Sequence, residues 1–270
     1  MESTRRLWNL PLLILAAFLG LLLAPPGSEA ETTTVIQVVD QPLNAYRANE
    51  PTPSAPLQET PEAVSPLSPP LASVPAATSG YDSSVRKALQ EMALRTEHLD
   101  LWADLHPNSA LRDLKTMSTG HQRTVANIVK YIRTHNTRID PKTAWREAAA
   151  LVRYSNKYGI PAPLATAVAH AESRFDPNAQ SSKGALGVMQ VMWRVHNGLL
   201  QSNGIETRKQ MFDPEKGIAA GCLLLSRYIK AYGSVQKAIN RYYGGVAVAY
   251  FHKVNRNMAK LVSQSAANGY

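Results

Sequence analysis

At 270 residues and 44% hydrophobic content, the chain has room for one large domain or two small ones, but its proline-rich N-terminal half lowers the folded share. The single cysteine, Cys222, excludes an intramolecular disulfide and leaves no lipid acceptor after the N-terminal apolar run. The net charge of +9 is uneven: residues 31–80 hold one Arg against five acids, and residues 141–270 hold 17 Lys and Arg against six acids. Such a basic domain favours a polyanionic partner, whether cell wall, nucleic acid or an anionic membrane surface.

The first element is an N-terminal signal. Arg5 and Arg6 precede a 15-residue apolar run from Leu10 to Ala24, followed by Pro25, Pro26, Gly27 and the small-residue pattern Ser28-Glu29-Ala30. A spanning helix needs about 20 apolar residues, so residues 1–30 read as a signal peptide cleaved after Ala30, with no stable membrane span afterwards. The expected location is periplasmic or secreted to the cell wall, and export argues against a nucleic-acid partner.

Residues 31–80 carry nine of the eighteen prolines, many Ser, Thr and Ala, and few aromatics. They bury too little surface to offset ordering entropy and read as a disordered tether. From residue 81 the texture turns helical, with Leu89, Met92, Ala93 and Leu101 on one side of a stretch opened by Ser83 or Ser84, then helices at about 108–118 and 122–135. The role of this 81–140 segment is unassigned. His98, His106, His121 and His135 lack paired ligand spacing and are expected at the surface.

Asp140-Pro141 starts the next helix, an N-cap acid followed by proline at the first helical position, and the stop falls near Gly159. Further helices are predicted from Pro163 to about Ser173, Gly187 to Leu200, Pro214 to Ala231, Val235 to Tyr243 and Val246 to Val262. No stretch alternates convincingly, and a hairpin-like turn around Pro177 to Gly184 is the one exception to an all-α domain over 141–270. Cys222, among Ala219, Ala220, Leu223 and Leu224, reads as a small buried thiol rather than a nucleophile.

The basic domain contains Glu147, Glu172, Asp176, Glu206, Asp213 and Glu215 as its only acids. Glu147 suits the first turns of a helix, Asp176 and Asp213 precede proline in turns, Glu215 opens a helix and Glu206 lies in a polar loop. Glu172 differs, because Ala169, Val168 and Ala165 lie three, four and seven residues before it, while Thr166, His170 and Ser173 line another face. Burial on that apolar stripe favours the protonated carboxyl that a general acid needs near neutral pH, although a core Glu in a hydrogen-bond network would look the same.

Glu172-Ser173, Phe175, Pro177, Ala179, Ser181, Gly184-Ala185 and Gly187-Val188-Met189-Gln190 resemble the signature of the soluble lytic transglycosylases, a family with a goose-type lysozyme-like fold. Asp213-Pro214-Glu215 with Ile218 and Gly221, then Ala238 through Tyr242 and Gly245, resemble its later blocks. The resemblance covers about 141–262. It implies an all-α enzyme cleaving the β-1,4 bond between N-acetylmuramic acid and N-acetylglucosamine to 1,6-anhydro products, with Glu172 as acid and then base.

The same resemblance implies that Ser181, Gln190 and Met192 contact sugar, and that Tyr242 orients the carboxyl within the substrate site. Turn, cap and core-packing roles remain open for all four. Two residues depart from the family pattern: Tyr243 stands where Asn is usual, and Gly217 replaces a usual Asn. No cofactor or metal is expected. A hydrolytic muramidase would need a second carboxylate, for which Asp176 and Asp213 are the candidates. A non-catalytic peptidoglycan-binding scaffold for a secretion or conjugation apparatus is the reading from another class, and the long tether is compatible with it.

Overall fold

The computed structural model describes residues 80–267; the signal peptide and nearly all of the tether expected from sequence lie outside them. Within those residues the elements are α1 (Ser83–Glu91), α2 (Thr96–Leu105), a 3-10 turn (Ala110–Asp113), α3 (Thr119–His135), α4 (Pro141–Tyr158) and α5 (Ala162–Ser173). Strands β1 (Ala185–Leu186) and β2 (Val191–Met192) follow, then α6 (Trp193–Gln201), a second 3-10 turn (Arg208–Phe212), α7 (Pro214–Tyr232), α8 (Val235–Tyr243) and α9 (Val248–Ala267). The described residues are all-α apart from one small antiparallel hairpin, in which Ala185 pairs with Met192 and Leu186 with Val191.

Local signals set many of the boundaries. The Asp140 carboxylate accepts from Thr143 N at 2.9 Å to start α4, and Gly159 ends it in the left-handed region. Asp213 caps α7 through the amides of Glu215 and Lys216, and Ser234 caps α8 through Lys237. Three sequence expectations shift. The first predicted helix is two, because Ala93 adopts a positive φ of 55° after α1. Leu99 rather than Leu101 then enters the core, leaving Leu101 55% exposed. The helix expected at 108–118 is only a short 3-10 turn held by Ser109, whose hydroxyl accepts from Leu111 N. The helix expected from Gly187 begins at Trp193, because Gly187 and Gln190 both take positive φ and close the hairpin instead.

Helix α4 packs along α7 and α3, and α5 packs along α9. Helix α5 is buried around its circumference, Thr166 and His170 included, so the second face inferred from sequence is not a solvated one. A single hydrophobic cluster joins Val85, Leu89 and Leu111 to Trp145, Val168, Ile218 and Met258, crossing the position between residues 140 and 141 without a gap. A second cluster, with Leu186, Val191, Met211 and Leu224, supports the hairpin.

Two acids with surface explanations in the sequence are buried. Glu215 accepts from Ser109 Oγ at 2.5 Å, Ala110 N at 2.7 Å and Arg146 Nε at 2.7 Å, and Arg146 also reaches Asp213 at 2.7 Å. Charge-assisted bonds therefore fasten the 81–140 segment to α4 and α7. Glu147 is 0% exposed, and neither carboxyl oxygen has a hydrogen-bond partner among the described residues. Burial first, and the nearby Asp176 second, hold it well above the usual carboxylate range.

Candidate functional site

Glu172 occupies the penultimate position of α5, where the buried helix emerges from the core. The backbone then turns through two consecutive non-glycine residues in the left-handed region, Arg174 at φ 57° and Phe175 at φ 62°, and Gln190 in the hairpin has φ 47°. Strained backbone persists where surrounding structure over-determines it. Here the Phe175 ring is fully buried, and its carbonyl accepts from Asn136 Nδ2 at 3.1 Å.

The end of α5 is stitched to the hairpin. Ser173 Oγ donates to Val188 O at 2.6 Å and accepts from Asp176 N at 3.1 Å. Gly187 N donates to Ala179 O at 2.8 Å, while Gln190 Nε2 donates to Ala179 O and Gly187 O, both at 3.0 Å. Ser181 Oγ accepts from Ala185 N at 3.0 Å. Helix α8 closes another side, with the Tyr242 hydroxyl donating to Met189 O at 2.8 Å.

The carboxyl itself is met by α9. The Tyr250 hydroxyl donates to Glu172 Oε1, and Lys253, one turn further along α9, donates from Nζ to Ala171 O at 2.5 Å. Burial raises the Glu172 pKa above its ordinary value; the Tyr250 hydrogen bond and the Lys253 charge oppose that rise without cancelling it. Tyr250 is itself pushed far above the usual phenol range, by burial first and then by Glu172, so it stays a neutral donor.

The five sequence-predicted residues are thus tied to one segment: Glu172 through Ser173, Ser181, Gln190 and Met192 within the 181–192 stretch, and Tyr242 through Met189. The hydroxyl that meets Glu172 belongs to Tyr250, however, whereas Tyr242 bonds a backbone carbonyl. Tyr250 was legible in the sequence only as one of several tyrosines, because its partner lies 78 positions away. Met192 is half-buried at the start of α6. Asp213 is engaged with Arg146, and the Asp176 side chain accepts from Asn178 N at 2.9 Å in the turn after α5. Among the described residues no group of three or more His, Cys, Asp or Glu side chains is placed to hold a metal. Cys222 is fully buried, with its thiol pushed up to about 12 by burial.

Behind the site, Tyr131, His135, His170 and Phe175 form an aromatic cluster, with the Tyr131 hydroxyl 2.8 Å from His170 Nδ1. Burial first, then the charges of His135, Lys260, Arg174 and Lys253, lower the His170 pKa to about 4. Because this folded value lies below the ordinary histidine value, the unfolded chain binds the proton first. Stability falls as pH drops from about 6.5 to about 4, by roughly 2 kcal/mol after allowance for solvent screening. Urea midpoints of the unsubstituted chain and His170→Gln at pH 7 and pH 4 test this: the substituted chain should lose less stability on acidification, and equal losses would remove His170 as a cause.

A buried helix delivering a carboxyl whose pKa burial raises, beside a small hairpin inside an otherwise helical body, defines a lysozyme-like domain. Residues 149–260 match the family model of the Transglycosylase SLT domain. Similar proteins include the membrane-bound lytic murein transglycosylase C of Yersinia pestis (strain Pestoides F) and that of Yersinia pseudotuberculosis serotype O:1b (strain IP 31758). Each is 38% identical over 99 residues, covering 34% of this chain and 28% of the relative. The match thus spans little more than a quarter of those relatives' length. No helix of the described residues is long and apolar enough to cross a membrane.

Proposed function

We propose that the protein is a peptidoglycan lytic transglycosylase acting at the cell wall, with Glu172 as its acid and then its base. The observation that carries this reading is the Glu172 carboxyl, its pKa raised by burial and its position held by Tyr250 at the end of a buried helix. Glu172 donates its proton to the glycosidic oxygen as the bond from muramoyl C1 breaks, releasing the N-acetylglucosamine 4-hydroxyl. The neighbouring N-acetyl group stabilises C1, and the carboxylate then takes the proton of the muramoyl 6-hydroxyl as that oxygen closes on C1. The product is a 1,6-anhydro sugar, no water is consumed, and Glu172 ends protonated.

Support for one carboxyl rather than two comes from the electrostatics. The groups that act on Glu172 are Tyr250 and Lys253, while Asp213 and Asp176 are engaged elsewhere. Ser181, Gln190, Met192 and Tyr242 are proposed to border the bound glycan, with the Gln190 amide nitrogen already committed to two carbonyls. The excess of Lys and Arg beyond residue 140 suits attraction to anionic wall polymers, an attraction that weakens as salt rises. Periplasmic or wall location rests on the N-terminal sequence, and docking to a secretion or conjugation apparatus rests on the tether alone.

Mass spectrometry of soluble products from purified peptidoglycan tests the reading, with Glu172→Gln as control. Anhydromuropeptides from the unsubstituted chain alone are expected. Reducing-end muropeptides would make the protein a muramidase, and an absence of products from both chains would make it a binding scaffold.

Tyr250→Phe gives a second test. Because the Tyr250 hydrogen bond lowers the Glu172 pKa, its removal should raise that pKa further and move the alkaline limb of the kcat/KM profile to higher pH. The rate should fall by about tenfold through loss of one charge-oriented hydrogen bond. An alkaline limb that stays in place would separate Tyr250 from the acid.

A further inference from the structure

Tyr243 departs from the family pattern, and the structure gives it a geometry that packing does not require. Its ring lies on Tyr250, with centroids 4.6 Å apart and planes inclined by 27°. Tyr250 in turn holds Glu172, so the Tyr243 ring is registered to the acid through one stack and one hydrogen bond. Yet Tyr243 is 58% exposed, and the chain beyond it presents Val246 at 87% and Val248 at 61% exposure. One face of the ring is thus fixed against a buried partner while much of the side chain meets solvent. A large aromatic whose rotamer is already held costs little entropy to engage, which is the property of a preformed contact for a ligand.

We infer that Tyr243 is a stacking platform for an amino-sugar ring in the subsite beside Glu172, taking the C–H face of the pyranose on its open side. This rests on the reading of the site as a glycan-cleaving one and adds the residue that holds the sugar next to the acid. An Asn at this position would offer hydrogen bonds but no apolar face. The contribution is to binding: the Tyr243 hydroxyl has no assigned role and the ring transfers no proton.

The test uses the full chain carrying Glu172→Gln, so that the glycan is bound without turnover, with tetra-N-acetylchitotetraose as probe and calorimetry as readout. Adding Tyr243→Ala should weaken Kd about five- to tenfold, as expected for loss of one aromatic stacking contact, whereas Tyr243→Phe should change it by less than about twofold. Matching thermal midpoints show that both variants are folded. An unchanged Kd in Tyr243→Ala overturns the inference, as does equal weakening by Ala and Phe, which would assign the effect to the hydroxyl. If the Glu172→Gln parent binds no tetrasaccharide while the unsubstituted chain still cleaves peptidoglycan, the platform falls and the glycan-cleaving reading stands. If neither binding nor cleavage is found, the functional reading falls and takes the platform with it.

Discussion

Glu172→Gln should lower glycan cleavage by about a thousandfold, the middle of the range for removing a positioned general acid. Gln is nearly isosteric and its side-chain carbonyl can still accept from the Tyr250 hydroxyl, so the fold and glycan affinity should survive. What disappears is the proton: an amide cannot donate to the glycosidic oxygen or later recover a proton from the 6-hydroxyl. The assay compares initial rates of release of soluble muropeptides at equal protein concentration, with thermal midpoints as the folding control. Residual activity above about a tenth of the unsubstituted rate would show that the chemistry lies elsewhere.

Gly187→Ala should destabilise the protein by about 3 kcal/mol, combining a disfavoured left-handed backbone with a steric clash that relaxation only partly relieves. Gly187 has φ 70°, and an added Cβ would fall 2.1 Å from Met211 O and 3.3 Å from Met211 C. The obstacle is backbone of the 3-10 turn before α7, which cannot rotate away as a side chain would. Gly184 supplies the control: its φ is 88°, but nothing lies within 4 Å of an added Cβ, so Gly184→Ala should cost only about 1 kcal/mol for backbone conformation. Urea midpoints separate the two, and equal losses would show that the approach to Met211 relaxes freely. Activity should fall with Gly187→Ala, because the hairpin carries Gln190 and the Met189 carbonyl that holds Tyr242.

The helices with strong local punctuation are legible in the sequence. Asp140-Pro141, Gly159 and Asp213-Pro214 announce both ends of α4 and the start of α7, because caps act within three or four residues. The hairpin is legible only in part: a hairpin-like turn is expected around Pro177 to Gly184, whereas the paired strands are Ala185–Leu186 and Val191–Met192. Its strands are two residues long, too short for alternation to emerge, and what stops a helix there is the approach of Gly187 to Met211, 24 positions downstream.

The same divide runs through the site. Glu172 stands out because helical spacing places it beyond Ala165, Val168 and Ala169, a local fact. Tyr250 does not, because only the packing of α9 on α5 brings its hydroxyl to that carboxyl. Glu147 and Glu215 mislead in the same way: each has an ordinary position near a helix start, and nothing nearby in sequence says that the surface they face is covered.

By itself, then, the sequence determined the all-α class, the helix ends at capped positions, the basic character of the C-terminal half and Glu172 as the candidate acid. All of these depend on neighbours within a turn or two or on composition. Tertiary structure alone decided which tyrosine holds the Glu172 carboxyl, that Tyr243 stacks on that tyrosine, that the 81–140 segment is fastened through Glu215 and Arg146, and that Glu147 is buried. The physical reason is common to all four: a side chain's environment, and hence its protonation and partners, is set by the element packed against it, and that element comes from a distant part of the chain.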